Sequence, residues 1–195
     1  MAAYPRRSAL SLPLPARLAA LALLSVLVQT GIISELPIFG VRIDITPLVV
    51  AFAGFSTDSG TGAAMGFAVG LLVDLTLGQT LGLTSLIYTF IGYGAGRLRE
   101  LRDPEATLLP LALGAGAAFL ALVGYAVIEF LLGVDAPVSA GELIREIVLG
   151  TIVGAIVSAP VWLLVRRVLQ GTEERARRQR ARTSSAGGLS PLSHP

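Results

Sequence analysis

Asp74 is the one acid between Gly60 and Gly96, and that stretch holds no basic residue until Arg97. Gly62, Gly66, Gly70, Asp74 and Gly78 follow one another at intervals of four. Residues four apart lie nearly above one another on a helix, each step drifting by about 40°. The spacing predicts a helix with one nearly bare face and a carboxylate on that face. Such a face can pack closely against another backbone and make one strong polar bond. Counted from Gly60, Asp74 lies about 21 Å along the helix at about 1.5 Å per residue, in the outer third of a bilayer. An acid at the bilayer centre costs about 2.5–3.5 kcal/mol, and less near the ends. Asp74 therefore has two readings. It is a polar anchor facing the bundle interior, or it reaches outer water beside Thr76 and Gln79.

Other chemistry is poorly provided for. The chain has no cysteine, and its only histidine is His194, next to the C-terminus. Ser25, Ser85 and Ser158 could be nucleophiles, but no histidine or lysine is available to activate them. No catalytic group, cofactor site or metal site is expected. Glu129, Arg145, Glu146 and Asp44, with Glu35 and Arg42 at the same level, form an expected outer-side polar cluster. They are either a wet interfacial rim or a docking surface for a partner.

The elements that must position these residues are membrane helices. The 195-residue chain is 53% hydrophobic and only 14% charged, where soluble domains carry roughly 25% charged residues. A bilayer core of about 30 Å needs about 20 apolar residues per helix. Six spans are expected: 18–38, 45–55, 61–77, 81–96, 108–132 and 143–169. The first follows a basic lead and is read as an uncleaved span rather than a signal peptide. Pro47 falls in the first turn of the short second span, where proline is tolerated. Asp58 or Ser59 is expected to cap the third. Gly78, Gln79 and Thr80 are expected to make a tight turn, and residues 97–107 a charged loop. The organisation is a basic lead (1–17), a transmembrane domain (18–169) and an Arg-rich tail (170–195) expected to be disordered. The fold class is an all-α integral membrane bundle of six helices.

Positive charge gives the orientation. Six spans put thirteen of the fifteen arginines on one side and leave only Arg42 and Arg145 on the other. That bias places both termini in the cytoplasm. Arg166 to Arg182 would act as a positive-inside stop and draw anionic lipids. Nucleic-acid binding is not expected: Glu173 and Glu174 interrupt the basic run, and no aromatic residue follows Trp162 to stack bases.

Other small-residue faces repeat the spacing: Gly92 with Gly96, Gly116 with Gly124, and Gly150 and Gly154 with Ser158. Lipid supplies little hydrophobic drive between helices, so such faces serve close packing. Several of them favour a compact bundle over a partner for any one row.

Pro47, then Gly62, Gly66, Gly70, Leu71 and Asp74, then Gly78, Leu81 and Gly82, with Tyr88 and Tyr93, resemble the pattern of the rod shape-determining MreD family. Asp44, three residues before Pro47, lies outside that pattern, and the resemblance is sharp over about 45 residues. It implies a fold similar to the S components of energy-coupling-factor transporters and a place in the bacterial cell membrane. It further implies a non-enzymatic scaffold of the cell-elongation machinery. The implied partners are MreC, RodA with its class B penicillin-binding protein (directly or through MreC), and MreB as a further candidate. Gly62, Gly66, Gly70, Asp74, Gly78, Gly82 and Pro47 would form its helix-packing or partner interface.

The alternative is a small-molecule-binding transporter subunit. Ala16 and Ala20, with Ala19 and Ala22 nearby, resemble the A-x-x-x-A helix by which S components dock their coupling subunit. Against it, a ligand pocket needs convergent polar groups. Trp162, the only tryptophan, lies near the cytoplasmic end of span six, the wrong side for capture from outside.

Overall fold

The structure, a computed structural model, describes residues 13–33, 44–78, 81–101, 108–133 and 139–169. The basic lead up to residue 12, Glu35, Arg42, Gln79, Thr80, most of the 97–107 loop and the tail lie outside the described residues.

Six α-helices follow in order: α1 Leu14–Val28, α2 Thr46–Ser56, α3 Ser59–Leu77, α4 Leu83–Leu101, α5 Leu109–Leu131 and α6 Ala140–Leu169. A π-helical turn, Gln29–Ile33, extends α1. Four of them are long and apolar enough to cross a membrane: α1 with its π turn, α3, α5 and α6. The chain is an integral membrane helical bundle.

Local signals account for the boundaries. Pro15 lies in the first turn of α1, so the helix begins at Leu14, ahead of the expected Leu18. Ser139 and Glu142 form a reciprocal cap on α6, in which the Ser139 N–H donates to the Glu142 carboxylate (2.9 Å) and the Glu142 N–H to Ser139 Oγ (3.3 Å). α4 runs five residues past the expected 96, because Arg97 and Arg99 suit the negative end of a helix dipole.

The helices form a ring around an axle. α3 packs on α4, α4 on α5, α5 on α6, α6 on α1, and α1 back on α3. α2 touches all five. It is buried from Thr46 to Phe55, and its apolar composition on every side suits a protein interior as well as lipid. At 11 residues it is about 16 Å long, roughly half the hydrocarbon thickness. Trp162 of α6 packs edge-on against Phe52 of α2, ring centres 5.3 Å apart.

Basic groups gather at one end of the ring, where Arg17, Arg97, Arg99, Arg166 and Arg167 all lie; Arg145 is at the other. Arg17 donates to the Val168 carbonyl at 3.3 Å, tying the start of α1 to the end of α6.

Candidate functional site

The glycine row of α3 faces α4. Gly62 meets Gly92, Gly66 meets Tyr88, and Gly70 meets Thr84 and Ser85, as successive rungs of an antiparallel pair. Gly96 extends the seam onto Ser59. A Cβ added at Gly66 would lie 2.9 Å from the Thr89 nitrogen and closer still to the Tyr88 carbonyl. At Gly62 it would lie 2.7 Å from the Gly54 Cα, so α2, α3 and α4 meet at three glycines. This is the close packing that bundles in lipid rely on. On the opposite side of the ring, Gly114 meets Ser158, and Gly154 meets Ala118, along the α5–α6 pair.

Asp74 continues the row and is fully buried. Its carboxylate accepts from the Gly82 N–H (2.8 Å), the Thr84 N–H (3.3 Å) and the Ser85 hydroxyl (3.3 Å). Those donors belong to the start of α4, whose first amides have no partner within the helix. Asp74 is therefore a cap supplied by the preceding helix, with its negative charge at the positive end of α4's dipole. Gly78 (φ 63°) ends α3 in the left-handed region, and Gly82 (φ 98°) reaches Asp74 from another positive φ.

Asp44 does the corresponding work for α2. Its carboxylate accepts the Thr46 N–H at 2.9 Å, just ahead of Pro47, which is buried in the first turn. The other carboxylate oxygen accepts the Tyr88 hydroxyl. The Tyr125 hydroxyl lies 3.3 Å from Thr84 Oγ1 and 3.4 Å from the Tyr88 oxygen. A chain of polar groups thus runs from Asp44 through Tyr88 and Tyr125 to Thr84, and on to Asp74. It joins the start of α2 to α3, α4 and α5. Thr84 and Tyr125 were not singled out from the sequence, and Ser85 was weighed only as a nucleophile. The available signal was a tyrosine in an apolar helix, since a buried phenol needs a hydrogen-bond partner.

The expected outer-side cluster is not drawn together. Glu129, Arg145 and Glu146 are exposed, and among the described residues no ion pair joins them. Asp44 turns inward to Tyr88 instead.

A second set of polar bonds closes the basic end. Arg99 donates to the Ser56 carbonyl at 2.7 Å and to the Thr57 carbonyl, at the C-terminus of α2. Asp58 caps α3, accepting the Thr61 N–H at 2.8 Å and the Thr61 hydroxyl at 2.7 Å. These bonds, with Arg99 at longer range, hold the Asp58 carboxyl below its ordinary value of 3.8. Among the described residues no group of three or more His, Cys, Asp or Glu could hold a metal ion.

No curated protein and no solved structure matches the chain. A family model, rod shape-determining protein MreD, matches residues 16–171, which takes in α1 from residue 16, the other five helices, the glycine row, Asp44 and Asp74. On that match, the chain belongs to the MreD family of rod shape-determining proteins.

Proposed function

We propose that this protein is a non-enzymatic membrane scaffold of the cell-elongation complex, which binds MreC and steadies the assembly around it. Family membership carries the role in rod-shape determination. The observation that supports a scaffold is the state of the polar groups inside the ring. Asp44, Tyr88, Tyr125, Thr84 and Asp74 bond to one another and to helix ends. Groups used in this way hold helices in place. A transporter subunit would turn convergent polar groups toward a ligand, so the arrangement favours the scaffold over that alternative.

The glycine row is occupied by α4, so partner helices dock elsewhere on the ring. RodA and its class B penicillin-binding protein join directly or through MreC, and MreB is a further contact. The basic end faces the cytoplasm with both termini, in the bacterial cell membrane, and the tail beyond residue 169 draws anionic lipids.

Capture of the tagged full-length chain from its native membranes tests this reading. Recovery of MreC with the RodA pair is the expected result. Recovery of a transmembrane coupling subunit and ATPases, without MreC, would replace the scaffold by a transporter subunit.

A further inference from the structure

The ring is loosest where α1 meets α6. A crevice of about 70 Å³ opens there, lined by Leu21, Leu24 and Val28 of α1, Val49 of α2, and Val161 and Leu164 of α6. Its floor is closed: Leu21 is 2% and Val49 3% exposed. Its lips are open: Leu24 is 46% and Leu164 47% exposed. Ser25 also lines it, but its hydroxyl donates to the Ala22 carbonyl at 2.8 Å. The wall is therefore apolar and opens sideways, where a membrane helix meets hydrocarbon. An apolar cavity does not hold water.

Charge identifies what should fill it. Arg17 stands one turn before Leu21 on α1, and Arg167 stands three residues after Leu164 on α6. The Arg17 bond to Val168 brings these two positions to the same mouth of the seam. Arg167 and its neighbour Arg166 are exposed there. The offset from the nearest crevice residues to the arginines is about 4.5–6 Å along the helices. That is the order of separation between a phospholipid's first acyl carbons and its phosphate.

We propose that the α1–α6 seam is a binding site for one anionic phospholipid, with an acyl chain in the crevice and the headgroup phosphate between Arg17 and Arg167. It deepens the general attraction of the basic end for anionic lipid into a single site on the bundle. It requires the membrane placement of the helices and is independent of any protein partner. A bound lipid would seal the loosest joint of the ring and tie its closure to lipid composition.

Native mass spectrometry of the full-length chain, titrated with phosphatidylglycerol and with phosphatidylcholine, tests the site. One retained phosphatidylglycerol and no retained phosphatidylcholine is the expected result. Arg167→Gln should weaken retention about five-fold, from the contribution of one arginine near a lipid headgroup. Arg178→Gln, in the tail, should weaken it far less. Leu24→Trp fills the mouth of the crevice and should abolish retention. Helix content by circular dichroism checks that each variant is folded. Equal retention of both lipids, or equal losses in Arg167→Gln and Arg178→Gln, would overturn the site in favour of diffuse attraction. If Leu24→Trp does not fold, the two arginine variants decide the matter by themselves.

Discussion

The Asp74 carboxylate accepts the backbone N–H of Gly82 at 2.8 Å, so the last turn of α3 caps the first turn of α4. A buried acid in a membrane bundle is costly unless its charge is met by donors. Here two amides and a hydroxyl meet it, and the dipole of α4 adds to them. The same carboxylate fixes where α3 ends and α4 begins.

Asp74→Leu should therefore destabilise the bundle by about 2–4 kcal/mol, since it leaves several buried donors unpaired. Asp74→Asn keeps one acceptor oxygen and should cost about 1 kcal/mol. Thermal unfolding of the purified chain in mild detergent measures both. Equal stability of Asp74→Leu and the native chain would remove Asp74 from this role.

Two glycines on the α3–α4 pair make an internal control. A side chain at Gly66 would strike the α4 backbone, whereas one at Gly94 meets nothing within 4 Å. Gly66→Ala should cost about 1–3 kcal/mol from overpacking. Gly94→Ala should be neutral or slightly stabilising, because alanine is the better helix former by about 1 kcal/mol. The same unfolding assay ranks the two, and the reverse order would place the seam elsewhere.

Tyr88 and Tyr125 lie on different helices, yet their hydroxyls are 3.4 Å apart. Tyr88→Phe leaves the Asp44 carboxylate without its phenol donor and should cost about 1–3 kcal/mol. Tyr125→Phe should cost less, since its bonds are longer. A double-mutant cycle should show coupling of about 0.5 kcal/mol or more between them. Strict additivity would mean that the two phenols act separately.

Asp58 supplies the pH dependence. Its carboxyl is held below 3.8 in the folded chain, so the unfolded chain binds its proton first as pH falls. The stability it contributes is complete above 3.8 and is lost as pH falls through the folded value. Asp58→Ala should lower stability by about 1 kcal/mol at neutral pH, the usual worth of an N-cap. The gap between this variant and the native chain should close progressively in unfolding experiments below pH 3.8. A gap that widened on acidification would contradict the assignment.

The row from Gly62 to Asp74 was legible because period four is itself a helical signal. The spacing marked a bare face but could not say which helix would cover it, since several spans carry similar faces. Antiparallel pairing with α4 settles that, rung by rung, from Gly62–Gly92 to Gly70–Ser85. The place of α2 was not legible. Thr46 to Phe55 reads as a short span, and a helix buried in protein has the same composition as one buried in lipid. The link from Asp44 to Tyr88 was hidden by their separation of 44 residues along the chain. Glu129, Arg145 and Glu146 were expected at one level of the membrane, which left open whether they touch. All three are exposed, and an ion pair between exposed groups gains little over their solvation.

The most direct measurement is reconstitution of the purified full-length chain with purified MreC in lipid nanodiscs, followed by size-exclusion chromatography. A stable complex of the two, formed equally well by the Gly94→Ala variant and without RodA, is the predicted result. Failure of the two folded proteins to associate, in nanodiscs containing anionic lipid, would contradict the scaffold.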